Sequence, residues 1–439
     1  MMTWQRKGCS IIVEITSSKG LRGTIEVPGD KSISHRAVML GSIARGETVI
    51  RNFLTGEDCL ATMDCFRKLG VSFEGPANGV VRVYGNGPEG LREPSGILDA
   101  ANSGTTIRLI SGILAGLPFF SVITGDESLK ARPMGRVIRP LSDMGAVILG
   151  RKENTLAPLA IRGGNLKAID FISPVASAQV KSSVLLAGLF AGGRTSVTEP
   201  YKSRDHTERM LEYMGADIKI TGNRVEITGG ARLEGRDITV PGDISSAAFF
   251  LVAASIVPGS DITIKNVGTN RTRSGILTAL RKMGADIELF NTRRLNGEPV
   301  SDIRVRYAPL TGTEIGGSLI PELIDEIPVL AVAAATASGN TVIKDAAELK
   351  VKESNRISAI VNGLGKFGVD ITELQDGFII RPGSALRGAE INPGGDHRIA
   401  MALSVAGLVS EGVTVINNPE CVNISFPGFF DVLKMAGIE

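Results

Sequence analysis

Cysteine is scarce in this chain, with four among 439 residues, at positions 9, 59, 65 and 421. No two form a CxxC pair and none has a histidine at zinc-type spacing. That argues against a disulfide framework or a zinc site and predicts incidental thiols in a reducing compartment. Charge of one sign is lacking too: 48 basic side chains face 46 acidic ones, a net of +2. This balance argues against a nucleic-acid binder, whose phosphate contacts need a clear basic excess, so any anion site must be local. No uncharged apolar run reaches the ~18 residues of a spanning helix; the stretch 109–125 is broken by Gly112, Gly116 and Pro118. Residues 1–20 hold no apolar segment with a small-residue cleavage site, so no export signal is read and a cytoplasmic location is expected. GxxxxGK[ST] and GxGxxG are both missing, which makes P-loop ATPases, kinases and dinucleotide enzymes poor fits. No metal and no cofactor is expected. Aromatics are only 5%, whereas glycine reaches 53 residues, a combination that predicts tight turns and close helix packing.

One recurring phrase uses part of that glycine. Lys68-Leu69-Gly70-Val71 returns as Asp143-Met144-Gly145-Ala146, Tyr213-Met214-Gly215-Ala216, Lys282-Met283-Gly284-Ala285 and Lys366-Phe367-Gly368-Val369, with a degenerate copy at Lys434-Met435-Ala436-Gly437. The chain therefore reads as six units of similar length. Each is predicted to hold an apolar helix, a glycine turn such as Arg45-Gly46-Glu47-Thr48, and a β-branched strand. A second helix then ends in the phrase, and short strands such as 216–220 follow.

The apolar helices are read at 36–44, 106–115, 180–191, 246–257, 327–337 and 398–409. Most are apolar nearly all the way round, the mark of helices buried on every side. The fold class is therefore α/β with helices within and sheets outside, the reverse of a TIM barrel. Val27-Pro28-Gly29-Asp30 and Val240-Pro241-Gly242-Asp243 repeat one tetrapeptide with three units between them. This predicts two domains of three units, 1–28 plus 242–439 and 29–241, with a double crossover hinge near 28–29 and 241–242.

Polar residues gather where the buried helices begin: Asp30 to Arg36, Asn102 to Thr106, Ser177 to Lys181, Ile324 to Pro328, and Asp396-His397-Arg398. Plain N-capping accounts for Ser32, Thr105 and Ser245. It does not account for Lys31, Arg36 or Arg398, because a cation at a helix N-terminus opposes the dipole and calls for an anionic ligand. If Lys350 to Arg356 is helical, Lys352 and Arg356 sit at i and i+4, a like-charge pair that costs stability unless a carboxylate or phosphate lies between them. Arg132 and Arg204 add planar forks suited to carboxylate or phosphate. The predicted substrates are small polyanions.

Together, Pro28 to Arg36, Asn102-Ser103-Gly104-Thr105, Arg132-Pro133-Met134, Ser177-Ala178-Gln179, Lys350 to Arg356 and Asp396-His397-Arg398 resemble the 5-enolpyruvylshikimate-3-phosphate synthase family, from about residue 20 onward. The resemblance implies a two-domain inside-out α/β barrel, probed by ligands in a cleft between the domains, which are expected to close on them. It implies that the 5-hydroxyl of shikimate 3-phosphate attacks C2 of phosphoenolpyruvate, and that the tetrahedral adduct expels phosphate. By motif, Lys31, Ser32, Arg36, Ser177, Ala178, Gln179, Arg204, Asp325 and Lys352 are expected to hold shikimate 3-phosphate. Lys31, Gly104, Arg132, Gln179, Arg356 and Arg398 are expected to hold phosphoenolpyruvate. Lys31, Asp325 and Glu353 are the expected catalytic residues, with His397 as an accessory, and the protein is expected to act as a monomer without membrane or nucleic-acid partners.

Four phrases resemble the second, glyphosate-tolerant class: Gly29-Asp30-Lys31-Ser32, Ser177 to Lys181, Arg204 to Glu208, and Asn270-Arg271-Thr272-Arg273. Gly104 departs from tolerant members that carry Ala there, and Ile424 stands where many first-class members place a lysine. The sister UDP-N-acetylglucosamine enolpyruvyl transferase is the alternative, but it typically carries a loop cysteine that residues 126–139 lack. A non-catalytic anion binder on the same scaffold would keep the arginines without needing Asp325 and Glu353.

Overall fold

The computed structural model describes residues 2–7, 10–383 and 385–437, so the cysteine read at position 9 lies outside the described residues. Six four-stranded sheets share one plan. In the first repeat Asp237–Thr239 runs parallel to Arg45–Arg51, which pairs antiparallel with Val80–Asn86, and Ser72–Ala77 flanks that strand. In the last, Glu390–Ile391 runs parallel to Val413–Asn417, whose antiparallel partner Ser10–Thr16 and flanking Met2–Lys7 come from the start of the chain. The sixth unit is thus completed by the N-terminal hairpin. This explains its degenerate phrase. The five full copies hold glycine at φ between 85° and 111°, the left-handed turn that leads the second helix into its own hairpin. Gly437, at φ −74°, makes no such turn.

The six buried helices are Lys31–Ile43, Gly104–Ala115, Ala178–Gly188, Ile244–Ile256, Ile327–Thr336 and His397–Gly407. Five begin upstream of the expected starts, and the reason is capping. Asp30, Ser103, Ser177, Asp243 and Asp396 accept the first backbone N–H groups. The expected caps Ser32, Thr105 and Ser245 are corrected accordingly: each lies in the first turn, one residue inside the helix. Small side chains let these helices meet backbone to backbone, since a Cβ on Gly112 would stand 2.2 Å from Ser183 O. Every residue of Ile244–Ile256 is buried.

Two compact units result. One comprises Gly29–Pro241 with Arg294–Glu298, and the other Met1–Pro28, Gly242–Arg293 and Pro299–Glu439. Each contains three of the buried helices around its own apolar core. They are called here the Lys31 unit and the Asp325 unit. Among the described residues no helix is long and apolar enough to cross a membrane.

Candidate active site

Within the Lys31 unit, polar bonds tie the N-terminal ends of the three buried helices together. A buried chain runs from His35 Nδ1 to Thr62 Oγ1, on to Thr106 Oγ1 and then to Ser103 Oγ, each step 2.7 Å. Burial, then the charges of Lys31 and Arg36, holds the His35 imidazole well below its ordinary value, so it joins this chain as a neutral ring. Gln179 Nε2 donates to Thr105 Oγ1 at 3.0 Å, and Arg108 Nη1 donates to Gln179 Oε1 at 2.7 Å. Arg36 Nη2 closes the triangle on Ser182 Oγ at 2.8 Å.

These ends present cations. Lys31, the first helical residue, places Nζ 3.0 Å from Asp58 Oδ2. Arg36 donates to Thr207 Oγ1, Ser182 Oγ and the carbonyl of Ser32. Arg132 donates to the carbonyl and side-chain oxygen of Asn102 and to Ser128 Oγ, and its Nε is buried with no partner among the described residues. No carboxylate touches Arg36 or Arg132 among the described residues. A buried guanidinium bonded only to neutral oxygens keeps a charge that an anion would neutralise. Arg36 registers the strain: burial, reinforced by Arg204 and opposed by Glu208 and Asp30, pulls it down to about 10. Gly104 lies beside this group, where an added Cβ would stand 2.8 Å from Arg108 Nη1 and 3.5 Å from Arg132 Nη1.

Two of the class phrases meet in a buried triad. Lys181 Nζ lies 2.8 Å from Glu199 Oε2 and 2.7 Å from Glu208 Oε1, all three side chains being at most 2% exposed. Burial alone would lower the ammonium, but Glu208 and Glu199 more than offset it and hold Lys181 above its ordinary value. Glu199 Oε1 also accepts from the backbone N–H of Ser177 at 3.1 Å and from Ser203 Oγ at 2.6 Å. The triad thus fixes the Ser177 cap together with the loop that carries Arg204.

The Asp325 unit is built differently. Asp325 Oδ1 stands 3.4 Å from both Lys352 Nζ and Arg356 Nη1, and its Oδ2 stands 3.8 Å from Arg273 Nη1. Arg356, 1% exposed at its side chain, grips Asp396 through Nε at 2.9 Å and reaches Glu353 through Nη2 at 2.6 Å. Burial would raise the Asp396 carboxyl, but Arg356 outweighs it and holds the group below its ordinary value, with His397 adding to the pull. Arg398 Nη1 donates to the carbonyl of Asp325 at 3.1 Å. In this set the cations Arg273, Lys352, Arg356 and Arg398 are interleaved with the carboxylates of Asp243, Asp325, Glu326, Glu353 and Asp396.

One expectation needs correction. Lys352 and Arg356 do not share a helix face: a 3-10 turn ends at Val351, Lys352 is extended, and Asn355 caps a new helix, Arg356–Lys366. Asn355 accepts from Ser358 N at 3.4 Å, and this local bond competes with continuing the helix. The carboxylate foreseen between the two cations is present, and it is Asp325. Ile424 ends a 3-10 turn, Pro419–Ile424, and is only half buried. Sequence reasoning gave no role to Asp58, Arg108, Glu199 or Glu326. Arg108 was within reach, because it lies four residues after Gly104 on one helical face.

A family model described as EPSP synthase (3-phosphoshikimate 1-carboxyvinyltransferase) matches residues 15–433. A protein of Pelotomaculum thermopropionicum named 3-phosphoshikimate 1-carboxyvinyltransferase is 62% identical over 428 residues, covering 97% of this chain and 99% of that protein. A Bacillus cereus protein of the same name is 57% identical over 418 residues, covering 95% and 97%. Among solved structures, an EPSP synthase of Acinetobacter baumannii superposes with a TM-score of 0.88 at 47% identity and covers 98% of both chains.

Proposed function

Because this chain belongs to the EPSP synthase family, we propose that cations of both units, Lys31, Arg36, Arg132 and Arg204 of the one and Lys352, Arg356 and Arg398 of the other, hold its two anionic substrates, and that the Asp325 unit supplies the carboxylates that move protons. The reaction is transfer of the carboxyvinyl group of phosphoenolpyruvate to the 5-hydroxyl of shikimate 3-phosphate, with release of phosphate. The hydroxyl oxygen bonds to C2 and loses its proton, while C3 gains one. The adduct then loses a proton from C3 as the C2–O bond to phosphate breaks, and the departing phosphate oxygen takes up a proton. Two proton transfers in each direction need groups that exchange protons beside fixed cations.

Lys31, Ser32, Arg36, Ser177, Ala178, Gln179, Arg204 and Lys352 hold shikimate 3-phosphate, with Asp325 at its 5-hydroxyl. Lys31, the backbone at Gly104, Arg132, Gln179, Arg356 and Arg398 hold phosphoenolpyruvate, and Glu353 serves C3. The division of charge carries this reading. Arg36 and Arg132 are buried against neutral oxygens, whereas Asp325 and Glu353 are threaded among cations. The first arrangement binds anions, and the second keeps carboxylates in place for proton traffic. The test is phosphate release from phosphoenolpyruvate with each of two acceptors. Release with shikimate 3-phosphate and none with UDP-N-acetylglucosamine is expected, and the reverse pattern would refute the reading.

Gly104→Ala probes the phosphoenolpyruvate side. Its methyl group must displace the Arg108 guanidinium, 2.8 Å away, and with it the bond to Gln179. The expected result is a KM for phosphoenolpyruvate raised about tenfold, the equivalent of one weakened charged hydrogen bond of ~1.4 kcal/mol. Inhibition by glyphosate should weaken too, because the same methyl narrows the space. Steady-state kinetics decide, and an unchanged KM would show that Arg108 moves without cost.

A further inference from the structure

The phrase Asn270-Arg271-Thr272-Arg273 has no part in the roles assigned so far. Its fold aims one residue inward. Asn270 Oδ1 accepts from Thr272 N at 3.1 Å and from Thr272 Oγ1 at 3.0 Å, and Asn270 O accepts from Arg273 N at 2.9 Å. Arg271 is exposed, while Arg273 is 2% exposed.

The Arg273 fork spans four groups. Nη1 lies 3.1 Å from Glu326 Oε1 and 3.8 Å from Asp325 Oδ2. Nη2 lies 3.3 Å from Asp243 Oδ1 and also donates to Ser245 Oγ, which in turn donates to Glu326 Oε1. Asp325 and Glu326 are consecutive carboxylates at the start of Ile327–Thr336, yet their surroundings differ. The Glu326 side chain is fully buried and faces Arg273 and, at 3.9 Å, Arg398; the Asp325 side chain keeps 11% exposure and faces Lys352 and Arg356.

We infer that Arg273 is a positioning residue: by holding Glu326 inward and touching Asp325 from behind, it fixes the direction in which Asp325 meets the substrate hydroxyl. The inference rests on the reading of Asp325 as the carboxylate at the 5-hydroxyl. Only a planar fork reaches Asp243, Glu326 and Asp325 at once, and a lysine ammonium is a single point.

The test uses the full-length chain and three variants. Arg273→Lys keeps the charge without the fork, and kcat should fall about 100-fold while KM for shikimate 3-phosphate changes less than about threefold, a split that marks loss of transition-state geometry rather than of binding. Arg273→Met should also lower thermal stability, because the buried Glu326 loses its nearest cation and keeps only Arg398, at 3.9 Å. Adding Glu326→Gln to Arg273→Met should restore part of the lost melting temperature, Asp243 remaining without that cation, but not kcat. If Arg273 were merely structural, the double variant would regain both, and that result would overturn the inference. Full kcat in Arg273→Lys beside an active wild type would overturn it alone. A wild type that releases no phosphate with shikimate 3-phosphate would overturn the reading of the site, and the inference with it.

Discussion

Lys31→Met should lower kcat/KM for both substrates by about 10²–10⁴-fold, because a charged donor to an anionic group contributes about 1.5–3 kcal/mol and Lys31 serves two such groups. The ammonium sits on the first residue of a buried helix, 3.0 Å from Asp58. Its loss therefore also strands a buried carboxylate. The companion variant Lys31→Met/Asp58→Asn separates the two effects: it should recover the melting temperature of wild type while staying inactive. Near-normal phosphate release by the single variant would remove Lys31 from the mechanism.

The largest effect on stability is expected at Lys181. Its ammonium is the shared partner of Glu199 and Glu208, and none of the three side chains exceeds 2% exposure. Lys181→Met leaves two carboxylates buried without their cation, and removing one member of such a cluster costs about 3–5 kcal/mol. Because Glu199 also holds Ser177 N and Ser203, the loss should spread to the Ser177 cap and raise KM for shikimate 3-phosphate. Denaturant unfolding at neutral pH measures the first effect. Lys181→Met/Glu208→Gln should recover about half of the loss by neutralising one of the two carboxylates. A single variant as stable as wild type would mean that water or a shifted proton compensates the triad.

The fold was legible where it depended on composition and local order. Helices made almost wholly of Ala, Gly and aliphatic residues, such as Ile244–Ile256, announce burial on every side, and the recurring glycine phrase announces six units. Helix starts were read too late because Asp30, Ser103 and Asp243 reach forward to cap, and a serine or threonine just inside looks equally suitable. The Lys350 to Arg356 segment misled because its charge spacing fits a helix that Asn355 interrupts. The completion of the sixth sheet by Met2–Lys7 and Ser10–Thr16 left no local mark, since its pairing joins segments far apart in the chain. The polar connections of the site share that difficulty. Arg108 meets Gln179 across 71 positions, and Arg36 meets Ser182 across 146. Such partners are set by packing, and only the folded chain brings them together.

The acceptor comparison run in D2O tests the division of labour most directly. Addition followed by elimination requires C3 to gain a proton from an exchangeable group and then lose one, so the methylene of the shikimate-derived product should carry solvent deuterium, visible by mass spectrometry. Phosphate release with an entirely unlabelled methylene would contradict protonation at C3, and with it the role given to the carboxylates of the Asp325 unit.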